Sequence, residues 1–295
     1  MAFNWQSFKT RTLTAAIFVV VMLAGLLINR WTFFILFSVI HFGCWWEYLK
    51  LVEKIYKTQI DIVIKYVLIV IGYIIFLLFA FPNTTFYFGL TIAPVNLKWL
   101  FYLFIIICLA VFLFQNKKIS SKAKWLSIAG FTYISLSLGL IVSLFYEITL
   151  YLHGSILTIS KPYFYPGSII LSLWVNDTMA YIIGSLIGKT PLSSISPKKT
   201  WEGTIGGIIL SGLIIFLLAY YVFPFGMISY GLVILAIIAS IAGTFGDLLE
   251  SKLKRMAGVK DSGHIMPGHG GFLDRFDSLL VAIPFVWLYV YFFMS

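Results

Sequence analysis

The sequence predicts an all-α polytopic membrane protein of about nine transmembrane helices, with the N-terminus cytoplasmic and the C-terminus outside. Composition, the lengths of the apolar runs and the distribution of charge carry this expectation. Of 295 residues, 61% are hydrophobic and only 11% are charged, whereas a soluble domain carries roughly 25% charged residues. That balance excludes an ordinary soluble fold and implies apolar surface that faces lipid as well as a core. The net charge of +10 reads first as loop topology and attraction to anionic headgroups, and no nucleic-acid partner is expected from it. Cys44 and Cys108 lie in separate apolar segments without metal-type spacing and read as small hydrophobes.

A span needs roughly 20 apolar residues. The candidates are 12–28, 31–49, 62–82, 98–115, 125–146, 167–188, 203–223, 228–250 and 278–294. Lys9 and Arg11 precede the first run as in a signal peptide, but no small-x-small cleavage site follows, so the run reads as a retained helix. Only Asn29 and Arg30 separate it from the second. The stretch 83–97 is mixed and reads as interfacial. No internal repeat and no linker between soluble domains is evident. The chain divides into residues 1–165, with about five helices, and residues 166–295, with about four and most of the intramembrane and interfacial polar residues.

Alternating nine spans from a cytoplasmic N-terminus places eighteen of the 21 Lys and Arg inside, leaving only Arg30, Lys98 and Lys161 outside. Such a split is what the positive-inside rule demands. It puts the segments around 189–199 and 252–275 on the cytoplasmic side, within reach of a soluble nucleotide.

Three polar stretches interrupt the later spans. In the sixth, Asn176 and Asp177 sit where a carboxylate is costly and needs a partner or water. Asp177, Tyr181, Gly184 and Gly188 share one helix face, whose small residues let a helix or ligand approach. The second stretch runs from Ser194 to Gly203. Pro197 ends any preceding helix, Thr200 can cap the next, and Ser196, Lys198 and Lys199 precede a helix start, where an anion is favoured. Alone, the two lysines read as topology determinants; Ser196-Pro197 and Glu202 beside them point to more.

The third, Gly246 to Asp277, is the most charged. A helix continuing through it would align Asp247, Glu250, Ser251 and Lys254 as a stripe about 10 Å long. The chain then leaves the helix near Gly258 and enters a glycine-rich loop that can approach phosphate closely. Asp274 and Asp277, with Arg275 between, open the ninth span as a plausible Mg²⁺ bracket. His264 and His269 lack zinc-type spacing and read as phosphate donors or loop structure. Carboxylates for a hard cation interleaved with bases for phosphate oxygens suggest metal plus phosphate.

These residues resemble the phosphatidate cytidylyltransferase (CDP-diacylglycerol synthase) family. The resemblance rests on Ser251, Lys254, Arg255, Lys260, Asp261, Pro267 through Gly271, Asp274, Arg275 and Asp277, with Asn-Asp-Thr-x-Ala-Tyr at 176–181 and Ser-Pro-Lys-Lys-Thr-x-Glu-Gly at 196–203 upstream. Met266 is a conservative departure. The match covers the C-terminal 125 or so residues; the N-terminal helices match only as oily spans. It implies conversion of CTP and phosphatidic acid to CDP-diacylglycerol and pyrophosphate with Mg²⁺, and it allows a second cation. Asp247, Asp274 and Asp277 would be metal ligands. These three, with Lys254 and Asp261, would form the catalytic group. Lys198, Lys199, Arg255, Lys260, His269, Arg275, Asn176, Asp177 and Ser196 would bind substrates. The nucleophile is an already ionised lipid phosphate, so no Ser-His-Asp device is needed; alignment and charge neutralisation are. The implied setting is a bacterial inner (plasma) membrane, with the active site facing the cytoplasm, and a homodimer is allowed. A CTP-dependent polyprenol or lipid kinase and a lipid transporter or scramblase are the alternatives. The Asp-Gly-x-x-Ala-Arg run of CDP-alcohol phosphatidyltransferases is absent from the sequence.

Overall fold

The structure is a computed structural model and describes residues 5–81, 97–115, 119–145, 148–152, 155–159, 163–222, 226–265 and 270–294. Each of the nine apolar runs falls on helix: α1 (Trp5–Leu27), α2 (Arg30–Tyr56), α3 (Ile62–Ala80), α4 (Leu97–Gln115), α5 and α6 (Ser121–Gly130 and Ser137–Ser143), α7 (Phe164–Ile187), α8 (Trp201–Val222), α9 (Gly226–Met256) and α10 (Leu273–Phe293). A π-helical turn, Phe131–Leu136, joins α5 to α6 in one continuous rod. Among the described residues, seven of these segments are long and apolar enough to cross a membrane. The described apolar parts of α1 and α4, Thr12–Leu27 and Phe101–Leu113, are shorter. The chain is therefore an integral membrane protein.

The spans are all helical, as expected, and a short pair of strands lies between two of them. Strands β1 (Ile148–Leu152) and β2 (Ser155–Ile159) pair antiparallel between α6 and α7, with Ile148 opposite Ile159 and Leu152 opposite Ser155. Their β-branched residues and the His153-Gly154 between them are a hairpin signal that the search for long apolar runs passes over. The interfacial stretch 83–97 lies almost wholly outside the described residues.

Local chemistry sets the helix ends. Asn29 caps α2 by accepting from Trp31 N and Thr32 N at 2.9 Å, while Thr32 Oγ1 accepts from Asn29 N at 3.1 Å. This reciprocal box lets two helices meet across Asn29 and Arg30. Asp61 caps α3 through Val63 N, and Thr200 accepts from Gly203 N at 3.2 Å at the start of α8. Gly258, at φ +67°, ends α9.

The first half packs around α2. Phe33, Phe37, Trp45 and Phe76 are fully buried. In the π turn, Ser135 Oγ accepts from Trp45 Nε1 at 2.8 Å and lies 3.0 Å from His41 Nε2. In the second half α7 packs along α8, α8 along α9, and α9 along α10; α10 also rests on α6 and α2. Gly184 and Gly203 allow α7 and α8 to touch by backbone. A Cβ on Gly203 would lie 2.5 Å from Ala180 O and 2.9 Å from Gly184 Cα, so only glycine permits this approach.

Candidate active site

Three junctions form the site: the α7 C-terminal half, the α7–α8 loop with the start of α8, and the end of α9 with the start of α10. They enclose a cavity of about 830 Å³. Asn176, Asp177 and Tyr181 line it from α7; Ser196, Lys198 and Lys199 from the α7–α8 loop; Asp247 and Lys254 from α9. Lys260, Asp261, His264 and Gly270 line it from the α9–α10 loop, and Asp274, Arg275 and Asp277 from α10. Polar stretches separated by up to 101 positions, from 176 to 277, thus meet in one place.

The α7–α8 loop is closed on itself. Glu202 accepts from Lys189 N and Thr190 N at 3.2 Å and from Thr190 Oγ1 at 2.9 Å. Leu192 N donates to Lys199 O at 2.8 Å, and Trp201 N to Thr190 O at 2.9 Å. This closure aims Lys199 across the cavity, where its ammonium pairs with Asp247. Lys198 is exposed at the rim.

On α9 the polar stripe is helical as its spacing requires. Ser251 Oγ donates to Asp247 Oδ1 at 3.2 Å. One turn on, Lys254 pairs with Glu250, whose side chain is fully buried, and donates to Asp274 Oδ1 at 2.7 Å. Asp274 Oδ2 accepts from Ser262 N and Gly271 N, both at 2.8 Å, and stands 2.9 Å from Ser262 Oγ. Asp274 therefore ties the two ends of the α9–α10 loop together, and both its oxygens have protein donors. Asp277, one turn along, accepts from Ser278 N at 2.6 Å through Oδ1. Close packing of Gly246 against the backbone at Asp277 and Ser278 brings α9 and α10 together beside Asp247.

Among the described residues, no group of three His, Cys, Asp or Glu side chains gathers around a point that would hold a metal. Mg²⁺ usually takes one or two carboxylates and completes its shell with water and substrate phosphate. Asp247 and Asp277 on adjacent helices, opening on a cavity rich in Lys, suit that mode. Of the described residues expected at the site, Arg255 alone does not line the cavity. Arg255 is exposed outside it, because it lies about 100° around α9 from Lys254. His269 lies outside the described residues, as do Met266, Pro267 and Gly268.

Sequence reasoning missed Glu47. This carboxylate of α2 is 6% exposed. It accepts from Ser262 Oγ at 2.8 Å, Phe272 N at 3.0 Å and Leu273 N at 2.9 Å. The available signal was an acid inside the apolar run Trp45-Trp46-Glu47-Tyr48-Leu49, which by its cost alone marks a candidate.

Comparisons with known proteins find relatives of one kind. Phosphatidate cytidylyltransferases of Staphylococcus haemolyticus (strain JCSC1435) and Staphylococcus saprophyticus subsp. saprophyticus are each 50% identical over 115 residues, and that of Staphylococcus aureus (strain COL) is 48% identical over 115. The matched stretch is 39% of this chain and 44% of each relative, so the chain matches a little under half the length of these relatives. The model of the cytidylyltransferase family, by contrast, matches residues 9–293. It thus includes the N-terminal helices as well as every segment that lines the cavity, and on that extent the chain belongs to the cytidylyltransferase family.

Proposed function

We propose that this protein is a phosphatidate cytidylyltransferase, using Mg²⁺ to convert CTP and phosphatidic acid to CDP-diacylglycerol and pyrophosphate. One observation carries the reading: Asp177, Asp247 and Asp277 line the same cavity as Lys198, Lys199, Lys254, Lys260 and Arg275. That set can hold a cation and several phosphates together. The names of the staphylococcal relatives support it.

A phosphate oxygen of the lipid attacks the α-phosphorus of CTP; the new P–O bond forms as the bond to the β-phosphate oxygen breaks, and pyrophosphate leaves. Both reactants are anions, so the demand on the protein is neutralisation and in-line placement. Lys198, Lys199, Lys254, Lys260 and Arg275 supply positive charge, and Arg255 and His269 are further proposed substrate contacts. Asn176, Asp177 and Ser196 line the polar wall, and Asp261 sits at the rim. Asp247, Asp274 and Asp277 are the proposed Mg²⁺ ligands; of these, Asp274 has both oxygens engaged by Lys254 and the loop. Bound Mg²⁺ would neutralise phosphate charge, and a second cation could share the acidic wall.

In the proposed topology all nine helical segments cross, from a cytoplasmic N-terminus to an external C-terminus. It is supported by the charge split and by the contact of the C-terminal part of α2 with the loop between α9 and α10, both assigned to one side. The cavity would then open at the cytoplasmic headgroup level of a bacterial plasma membrane. CTP would enter from water while acyl chains stay in lipid. Residues 166–295 would carry the chemistry and 1–165 its support. The lining residues identified come from one chain, so the reaction is compatible with a monomer or a homodimer.

Purified protein in detergent with CTP, phosphatidate and Mg²⁺ should release pyrophosphate only when all three are present. Release without lipid, or transfer only to a lipid alcohol, would overturn the reading.

A further inference from the structure

The cavity is walled by α7 to α10, yet one buried carboxylate holding its loop comes from α2. Glu47 takes one donor from near the start of the loop, Ser262, and two from its end, Phe272 and Leu273. The fit leaves no slack: a Cβ on Gly263 or on Gly271 would run into the Glu47 carboxylate. One helical turn earlier, a Cβ on Gly43 would overlap the Phe272 ring. The face of α2 carrying Gly43 and Glu47 is thus a seat shaped to this loop.

A buried acid with three donors can simply stabilise a fold, but the position of Ser262 gives Glu47 a further consequence. The Ser262 hydroxyl lies 2.8 Å from Glu47 Oε2 and 2.9 Å from Asp274 Oδ2. It has one proton and can donate to only one carboxylate at a time. Glu47 and Asp274 therefore share it. Asp274 in turn receives the Lys254 ammonium at 2.7 Å, and Lys254 lines the cavity while Glu47 does not.

We propose that Glu47 is a positioning residue for the transfer reaction, acting through Ser262 and Asp274 to set Lys254 at the cavity wall. The proposal rests on the cytidylyltransferase reading and gives the N-terminal helices a specific task. They supply the anchor that shapes the loop rather than serving only to hold the chain in lipid.

The test uses the full chain in detergent, as wild type, Glu47→Gln, Ser262→Ala and the double variant. Two readouts are taken: kcat and KM for CTP with phosphatidate, and the rate of tryptic cleavage after the exposed Lys260 without substrates. Loss of an outer partner of an active-site group typically costs about 10- to 100-fold. Glu47→Gln should lower kcat by that factor with little change in KM, and cleavage after Lys260 should accelerate. The double variant should be about as slow as the slower single variant, because both act through one shared proton. Wild-type kcat per folded molecule in Glu47→Gln, even with a lowered unfolding temperature, would overturn the proposal; so would losses that multiply in the double variant. If Glu47→Gln does not fold, Ser262→Ala decides alone: reduced kcat with faster cleavage supports the proposal, and unchanged kcat overturns it. If the wild type makes no CDP-lipid, the cytidylyltransferase reading fails, and the cleavage rates still report separately whether Glu47 holds the loop.

Discussion

Lys254 donates to Asp274 Oδ1 at 2.7 Å across the α9–α10 junction. The same ammonium pairs with Glu250, whose side chain has no exposed surface. One lysine thus compensates a buried acid and presents positive charge to a cavity.

The two duties predict a separable result. Lys254→Met leaves Glu250 buried and unpaired, a change that typically destabilises by about 3–5 kcal/mol. The unfolding temperature in detergent should fall clearly. Adding Glu250→Gln should restore part of that stability without restoring CDP-lipid synthesis. Recovery of both together would mean that Lys254 serves the fold alone.

Lys199 and Asp247 should behave differently. Their side chains are 29% and 26% exposed, and partly exposed pairs contribute roughly 0–1 kcal/mol to stability. Lys199→Ala should therefore leave the unfolding temperature nearly unchanged. A lost hydrogen bond to a charged group costs about 1.5–3 kcal/mol, so kcat/KM for CTP should drop by about 10- to 100-fold. Kinetics at the wild-type level would remove Lys199 from the phosphate contacts.

Asp277 offers the cleanest test of cation binding by the protein. Asp277→Asn keeps the shape and can still accept from Ser278 N, so folding should survive. Metal neutralisation of phosphate contributes several kcal/mol, and activity should fall by about 100-fold or more, with a raised Mg²⁺ requirement. A variant with normal Mg²⁺ dependence would separate Asp277 from the metal.

Much of this site is legible in sequence because its polar residues stand against an apolar background. Asp177, Lys199, Asp247 and Asp277 are each conspicuous within or beside a span, and helical spacing alone places Asp247 and Lys254 on one face. Three features are not legible in that way. Arg255 shares the motif with Lys254, but the 100° helical step turns it out of the cavity. Both oxygens of Asp274 are engaged by Lys254 and by donors on its own loop, which spacing to Asp277 does not reveal. Glu47 reaches partners 215 to 226 residues away, and no local pattern encodes a contact of that separation. The paired strands β1 and β2 are five residues each, too short to register as twenty-residue apolar runs.

The proposed topology makes a prediction independent of chemistry. A cysteine placed at Ser295 in a Cys108→Ser background should react with a membrane-impermeant thiol reagent added outside intact cells. A cysteine at Lys260 should react only after permeabilisation. Reversed accessibility would break the nine-span arrangement and the cytoplasmic placement of the cavity.

The most direct test follows the phosphorus atoms. Purified wild-type protein is given phosphatidate, Mg²⁺ and CTP labelled in either the α- or the γ-phosphate. Cytidylyl transfer predicts α-label in the lipid product and γ-label in pyrophosphate. Label from the γ-phosphate in the lipid, with CDP released, would identify a lipid kinase and contradict the account.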